Sequence, residues 1–145
     1  MKKSQKTALI TGGATGIGLA SATAFSKAGY NVVLTDLEMA AAEAAAAGIE
    51  GPILATKLDV CDQISIKSAF TEAERQFGRV DVLHANAGVS SMKRALDLTE
   101  DDWDFNFDVN AKGVFLSNQV AIRHFLSHQN QGVIVNTASL AAKDL

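Results

Sequence analysis

Short apolar runs rich in β-branched residues alternate with segments of helical spacing along the whole chain, and this alternation constrains the fold most. Runs of this length and composition indicate strands that are buried on both faces. A helix between successive strands is typical of a parallel sheet covered by helices on both sides. We therefore predict one α/β domain built on a doubly wound parallel sheet. The predicted strands lie at 7–11, 31–35, 53–58, 80–85 and 132–137.

The segments between the strands carry helix signals. Helices are predicted at 17–28, at 37–48 and after Asp62, and each of the three is followed or closed by a glycine. Thr99 and Asp102 have the spacing of a capping box and open a long helical stretch. The aromatic residues of that stretch are expected in the core: Trp103, Phe107, Phe115 and Phe125.

Length, charge and cysteine content limit the function classes. With 145 residues, of which 48% are hydrophobic, the chain can form one core. The net charge of -3 comes without a basic stripe, so we expect neither a nucleic acid nor a membrane as partner, but a small molecule. Cys61 is the only cysteine, which excludes an internal disulfide, and we expect it to be a small buried side chain. The histidines at 84, 124 and 128 show no metal-like convergence in the sequence, and no metal site is expected.

The N-terminal segment has a basic start and a mildly apolar middle, which raises the possibility of a secretory signal. Glycines and threonines interrupt its apolar part, however, between residues 11 and 16. No later segment reaches the roughly 18 unbroken apolar residues that a membrane span needs. We therefore expect a soluble, cytoplasmic protein.

A glycine-rich segment, "TGGATGIG" at 11–18, joins the first strand to the first helix. A backbone without side chains can approach a diphosphate closely, and the helix N-terminus behind it offers free N–H groups and a partial positive charge. The glycine spacing is G-x-x-x-G-x-G, not G-x-G-x-x-G, and a tight structural turn would use the same residues. The segment therefore indicates a phosphate-binding loop, with a structural turn as the alternative.

An acidic residue at the end of the second strand is an independent sign of a dinucleotide site. Asp36 holds that position and could accept hydrogen bonds from the adenosine ribose. The 2'-phosphate of NADP would bring like charge near this carboxylate, at a cost of about 1–4 kcal/mol per charge pair at about 4 Å. No lysine or arginine lies in the glycine segment or directly after Asp36. We therefore expect NAD as cofactor, with NADP less favoured; the alternative role for Asp36 is a cap of the helix at 37–48.

Further polar residues fall at the carboxyl ends of later strands, where open α/β sheets bind ligands. They are Asp59 with Val60, the "ANAG" segment at 85–88, and Ser139. Each has a structural alternative: Asp59 could cap a helix, the asparagine and glycine could form a turn, and Ser139 could be a solvated hydroxyl. Their succession at strand ends indicates a ligand site.

With these residues together, the chain resembles the short-chain dehydrogenase/reductase family. The matching residues are Thr11 to Gly18 for the family's T-G-x-x-x-G-x-G, Asp59 and Val60, Ala85 to Gly88 for its N-A-G element, Asn110, and Ser139. The resemblance implies a Rossmann-like sheet of order 3-2-1-4-5, with residues 1–145 as a single NAD(P)-binding domain. It implies these cofactor contacts: Gly12, Gly16 and Gly18 at the pyrophosphate with Thr15 and Ile17 beside them, Asp36 at the ribose, Asp59 and Val60 at the adenine, and Asn86, Ala87 and Gly88 along the cofactor.

For catalysis, the resemblance implies a serine, a tyrosine, a lysine and an asparagine. Ser139 matches the serine that hydrogen-bonds the substrate oxygen, and Asn110 matches the asparagine of the proton relay. The only tyrosine is Tyr30, after the first helix, and Lys143 has no tyrosine before it, so neither receives the corresponding role. We therefore expect the 145-residue chain alone to be inactive.

The resemblance also implies the kind of protein to which the chain belongs. We expect the N-terminal part of an NAD-dependent oxidoreductase, acting on a small secondary alcohol or ketone and forming a homo-oligomer at full length. In its overall sequence pattern, the chain most resembles acetoin, butanediol or polyol dehydrogenases, and 3-oxoacyl reductases are the next most similar class. Two alternatives stay open: a non-catalytic NAD-binding module, and a structural or interaction domain whose glycine loop binds nothing.

Overall fold

A computed structural model describes residues 5–139 of the chain. Its sheet has five strands in the order β3-β2-β1-β4-β5, and every pairing is parallel. The predicted fold class is therefore confirmed. The strands are β1 (Thr7–Ile10), β2 (Asn31–Asp36), β3 (Ile53–Lys57), β4 (Val82–Ala85) and β5 (Val133–Asn136).

The helices follow the strands as the alternation predicts. A π-helical segment, which the sequence did not indicate, interrupts the long helical stretch and separates α4 from α5. The helices are α1 (Gly16–Lys27), α2 (Met39–Ala46), α3 (Gln63–Phe77), α4 (Glu100–Phe107) and α5 (Val114–Ser127), with a short 3-10 turn at Ala95–Asp97 and the π segment at Asp108–Gly113.

The helix starts confirm two of the capping predictions. Asp62 is the N-cap of α3, and its carboxylate accepts a hydrogen bond from the Ile64 backbone N–H at 2.8 Å. Thr99 and Asp102 form a reciprocal capping box at the start of α4. Such a cap satisfies backbone N–H groups that the first helical turn leaves unpaired.

The core lies on both faces of the sheet. Alternate strand residues point to opposite faces, so Leu9 and Leu83 belong to one cluster, whereas Ile10 and Val82 belong to the other. The first cluster packs against α3 and α5 and includes Ile66. The central strands are fully covered, which explains why they read as continuous apolar runs.

The expected burial of the aromatic residues on the long helical stretch is wrong for all but Phe125. Trp103, Phe107 and Phe115 are 62%, 50% and 61% exposed, whereas Phe125 is 7% exposed. The buried positions of α5 are held by Ser117, Val120, Ala121, His124 and Phe125. Burial of these aromatic residues was predicted from their type, but the orientation of the helices on the sheet determines which side chains are buried.

β5 pairs with β4 and, in the described part of the chain, has no neighbour on its other side. Val133 and Val135 are exposed on this strand. Among residues 5–139, no helix is long and apolar enough to cross a membrane.

Candidate functional site

A cleft of about 540 Å³ opens at the carboxyl ends of the strands, between the glycine loop and the segments that follow β2, β3 and β4. We call it the glycine-loop cleft. Every cofactor-binding residue predicted from the sequence lines it, with the single exception of Gly18. Its lining is Gly12, Thr15, Gly16, Ile17, Asp36, Leu37, Glu38, Leu58, Asp59, Val60, Asn86, Ala87, Gly88, Val89, Phe105, Val109 and Thr137.

The start of α1 presents unpaired backbone N–H groups at this cleft. Thr15 is the N-cap, its side chain makes no capping hydrogen bond within residues 5–139, and the first turn of α1 contains no acidic residue. Gly16 has a φ of 52°, and, apart from its chain neighbours and the backbone of its own helix, no heavy atom of the described chain lies within 4 Å of where its Cβ would be. A twelve-residue helix with an uncapped N-terminus and open space beside it suits a phosphate group.

Gly18 has a different place from the other glycines of the loop. A Cβ at this position would overlap the carbonyl oxygen of Gly12 and lie 2.7 Å from Nδ2 of Asn86. The absence of a side chain therefore lets the first turn of α1 pack directly against the loop. Gly18 does not line the glycine-loop cleft itself, but its close packing against Gly12 supports the loop that does.

The ends of β1 and β4 are joined by hydrogen bonds at the base of the cleft. Oγ1 of Thr11 accepts from the backbone N–H groups of Asn86 and Ala87, both at 3.0 Å. Nδ2 of Asn86 donates in return to the carbonyl oxygens of Thr11 and Gly12, both at 3.1 Å. Asn86 therefore holds the glycine loop against the end of β4.

Asp36 also supports the glycine loop. Its Oδ2 accepts a hydrogen bond from the Ala14 backbone N–H at 3.1 Å. The N-cap of α2 is Glu38, so the alternative of Asp36 as that cap is not supported by the helix start. Lys57 is the residue opposite Asp36 on β3, a neighbour that the sequence did not reveal, but it is not among the residues described as lining the cleft.

Asp59 and Val60 lie on the far side of the cleft. Oδ1 of Asp59 accepts from the Cys61 backbone N–H at 2.8 Å, and the cap of α3 is Asp62, so Asp59 is not that helix cap. Val60 packs close to Gly113, where a Cβ would lie 2.9 Å from Cβ of Val60. Cys61 is half-buried against the core, and burial together with the negative charge of Asp59 raises the pKa of its thiol.

Asn110 and Ser139, the two predicted catalytic residues, line one pocket of about 550 Å³, which we call the serine pocket. It shares residues 86–89 and Thr137 with the glycine-loop cleft, so the two cavities adjoin. Asn110 lies in the π segment, and its side-chain amide accepts from the Val89 N–H and donates to the Val89 carbonyl, both at 2.8 Å. Inserted π turns are frequent at functional sites, and this one aims Asn110 at the segment after β4.

Tyr30 and Lys143 have no observed place in these cavities. Tyr30 precedes the first residue of β2, at the opposite end of the sheet from Ser139, and its ring packs edge-on against Phe25 at 5.2 Å. Lys143 lies outside the described residues. Among the described residues, the serine pocket therefore brings together Ser139 and Asn110 without a tyrosine.

A third cavity of about 790 Å³ lies between the segment 90–98 and α4. Lys93 forms an ion pair with Asp102 at 2.7 Å, and Nδ2 of Asn106 donates to Oγ of Ser91 at 2.6 Å. The hydrogen bond from Lys93, followed by those from Thr99, holds the pKa of the Asp102 carboxyl well below its usual range. These links attach the segment to α4, and Ser90 lines both this cavity and the serine pocket.

Glu74, His124 and His128 converge, which corrects the expectation that the histidines would not. Their potential ligand atoms lie within 4.8 Å of one another, and the i, i+4 spacing of His124 near the end of α5 and His128 at its C-cap was the overlooked signal. However, Nε2 of His124 already accepts the Val80 backbone N–H at 2.9 Å. The neutral ring must then carry its proton on Nδ1, which leaves no lone pair for a metal unless that hydrogen bond breaks.

The sequence is similar to that of known proteins along almost its whole length. A family model described as short chain dehydrogenase matches residues 6–144. Galactitol 2-dehydrogenase of Agrobacterium fabrum is 35% identical, over 99% of this chain and 56% of its own length. Meso-2,3-butanediol dehydrogenase of Serratia marcescens is 36% identical, over 97% of this chain and 56% of its own length.

Solved structures give the same result. A crystal structure of 3-ketoacyl-(acyl-carrier-protein) reductase from Brucella melitensis, complexed with NADH, matches with a TM-score of 0.88 and 35% identity. The match covers 94% of this chain and 58% of that one. The chain thus spans little more than half the length of the relatives that it matches.

Proposed function

The chain belongs to the short-chain dehydrogenase family, and from this premise we propose that it is the cofactor-binding part of an NAD-dependent oxidoreductase. The proposed reaction transfers a hydride between NAD(H) and a small secondary alcohol or ketone. The observation that carries the proposal is the glycine-loop cleft, where the uncapped start of α1 and the Asp36 carboxylate line one cavity. Residues 1–145 then form a single NAD(P)-binding domain.

The cleft residues suit the parts of a dinucleotide. The backbone N–H groups at Gly16 and Ile17 would bind the pyrophosphate, because the positive end of α1 favours negative charge there. Asp36 would accept hydrogen bonds from the ribose hydroxyls, and Asp59 with Val60 would contact the adenine. Gly12, Thr15 and the segment Asn86, Ala87 and Gly88 would complete the contacts, and Gly18 would allow the loop to hold this shape.

The serine pocket would hold the substrate. The nicotinamide ring supplies the hydride acceptor or donor when the cofactor is bound. Ser139 would donate a hydrogen bond to the substrate oxygen, and Asn110 would keep the segment after β4 in place through its two hydrogen bonds to Val89. The proton of the alcohol needs an acid or base of tuned pKa, and no tyrosine follows Ser139 in these 145 residues.

The substrate class rests on the relatives. The names of the two curated proteins compared above are those of enzymes that act on galactitol and butanediol, both of them alcohols. We propose a small alcohol or polyol, or the matching ketone, for the whole protein. The exposed aromatic residues of α4 and α5 support a further proposal, that the whole protein is a homo-oligomer.

A non-catalytic NAD-binding module is the second candidate, because the described residues that line the serine pocket include no tyrosine. Under either proposal the 145-residue chain should bind NADH but give no steady NADH formation with a secondary alcohol such as butanediol. Sustained turnover by material of verified mass would refute the proposed lack of a proton donor. Activity of a longer protein that contains this chain would separate the enzyme from the binding module.

The experiment that tests cofactor binding is a titration of the 145-residue chain with NADH and NADPH. We expect NADH to bind more tightly by about fivefold to several hundredfold, because the 2'-phosphate would be repelled by Asp36. Asp36→Asn keeps an oxygen that can accept the Ala14 N–H but removes the charge, so this variant should bring the two affinities close together. Asp97→Asn, at an exposed turn outside the cleft, is the matched control and should leave their ratio unchanged.

Two results would count against this proposal. Wild-type protein that binds neither cofactor would leave the third alternative, a structural or interaction domain. An NADH preference that survives Asp36→Asn would mean that Asp36 supports the loop through Ala14 without selecting the cofactor.

A further inference from the structure

Two polar side chains beside the glycine-loop cleft have no role in the function proposed above. They are His84, which is 7% exposed on β4, and Thr137, which follows β5 and lines both cavities. Nε2 of His84 lies 2.9 Å from Oγ1 of Thr137. Oγ1 of Thr137 lies 3.1 Å from Oδ1 of Asn86. The three side chains thus form a continuous chain of hydrogen bonds.

The direction of these hydrogen bonds follows from their partners. The side-chain amide nitrogen of Asn86 donates to two carbonyl oxygens, those of Thr11 and Gly12, so the amide cannot be turned around without losing both. Its Oδ1 must therefore accept from Thr137, whose hydroxyl has one hydrogen. That hydrogen is used, so the oxygen of Thr137 can only accept from His84. His84 must then carry its proton on Nε2.

We propose that His84 is a positioning residue of the cofactor site, which acts through Thr137 to hold Asn86 and with it the glycine loop. This inference rests on the proposed function, because its consequence is cofactor affinity. The chain of donors runs from His84 on β4 to Thr137 after β5, then to Asn86, and ends at the loop carbonyls. Thr137 lies two residues before Ser139, so the same hydrogen bonds hold the strand end that carries the predicted catalytic serine.

The position of β5 in the sheet explains what the hydrogen bond between His84 and Thr137 contributes. β4 and β5 lie side by side, with His84 opposite Val135 in the register, and the backbone pairing continues to the hydrogen bond from the Thr137 N–H to the Ala85 carbonyl at 3.0 Å. β5 has no second neighbour within the described residues. The His84 side chain therefore supplies an additional link between the end of β5 and the central strands.

The test compares variants that keep or remove each donor. His84→Gln retains an N–H that can donate to Thr137, whereas His84→Leu does not; Thr137→Ser retains the hydroxyl, whereas Thr137→Val does not. We expect the NADH dissociation constant of the 145-residue chain to rise about three- to tenfold in the Leu and Val variants, which corresponds to one hydrogen bond. The Gln and Ser variants should stay within about twofold of wild type. Melting temperatures, measured in parallel, identify any variant that is merely less folded.

The protonated ring nitrogen gives a readout that does not depend on binding. Nitrogen-15 NMR of the histidine rings should show His84 as the Nε2–H tautomer, and Thr137→Val should shift the side-chain amide signal of Asn86. The Nδ1–H tautomer at neutral pH would overturn the inference, as would equal weakening by the Leu and Gln variants.

Different results would refute the proposed function and the role of His84. Wild-type protein that does not bind NADH refutes the proposed function, whatever the variants do. Wild-type protein that binds NADH, together with His84→Leu and Thr137→Val proteins that bind it equally well, refutes only the role of His84. If His84→Leu does not fold, Thr137→Val decides alone, because Thr137 is exposed and lies after the end of β5.

Discussion

At the scale of the residue, the glycine loop shows that three glycines of one motif contribute in different ways. Gly12 and Gly16 have φ values of 62° and 52°, which favour glycine over other residues. Gly18 has an ordinary helical backbone, but it packs against the carbonyl of Gly12. The first two allow the turn of the loop, and the third allows the helix to approach it. The motif thus encodes both the path of the backbone and the closeness of its packing.

Gly18→Ala should be destabilising even though alanine is the better helix former. In a helix, alanine is favoured over glycine by about 1 kcal/mol, but the added Cβ would overlap the backbone of Gly12. We expect a net loss of about 1–3 kcal/mol in the free energy of unfolding, as for other overpacked sites. Denaturant unfolding measures this change.

Gly48→Ala is the matched control for that substitution. Its Cβ would be 3.6 Å from the carbonyl oxygen of Ala45, an ordinary contact, so the free energy of unfolding should change by less than about 1 kcal/mol. A Gly18→Ala protein as stable as this control would contradict the close packing of α1 on the loop.

At the scale of the element, the long helical stretch after Thr99 combines parts with different environments. α4 is mostly exposed, the π segment carries Asn110, and α5 packs on the sheet. α5 is tied to the start of β4 by His124, whose Nε2 accepts the Val80 backbone N–H. Burial, followed by repulsion from His128, lowers the pKa of His124 from its ordinary value of 6.5.

The stability of the domain should therefore depend on pH through its buried histidines. Burial also lowers the pKa of His84, so both side chains take up protons more readily in the unfolded chain. Their contribution is complete above the unfolded value of about 6.5 and is lost as the pH falls through the folded-state pKa values. We expect the free energy of unfolding to decrease between about pH 7 and pH 5, measured by urea unfolding at several pH values.

The variant His124→Gln separates the contribution of His124 to this pH dependence from that of His84. Glutamine can still accept the Val80 N–H but does not take up a proton in this pH range, so the decrease on acidification should become smaller. Glu74 and Asp81 act in the opposite direction by raising the pKa of His124, although less than burial and His128 lower it. An unchanged pH dependence in this variant would assign the effect to other groups.

At the scale of the whole molecule, the parallel sheet gathers the carboxyl ends of all its strands on one side. Residues as far apart in the sequence as Thr15, Asp59 and Thr137 therefore line a single cleft. The other end of the sheet holds Tyr30 and the ion pair of Arg79 with Asp81 at 2.9 Å, whose residues contribute to folding rather than to the cleft. β5 is an open edge in the described chain, and an unpaired edge is prone to pair with another strand.

Much of this arrangement could be predicted from the sequence because it depends on local patterns. Apolar runs of β-branched residues located the strands within a few residues, and glycines and the cap at Asp62 located the helix ends. Since parallel strands place their carboxyl ends together, the residues after each run could be assigned to one site in advance. The strand order and the family followed from the same motifs.

Other features were decided only by the tertiary structure. The exposure of Trp103 and Phe115, the π segment at Asp108–Gly113 and the convergence of His124 with Glu74 depend on how the helices pack on the sheet. The hydrogen-bonded chain from His84 to Asn86 depends on the register between β4 and β5. Local patterns determine which segments become strands and helices, because propensity and capping act between near neighbours in the sequence. Contacts between distant segments depend on side-chain packing in three dimensions, which the pattern of residue types does not specify.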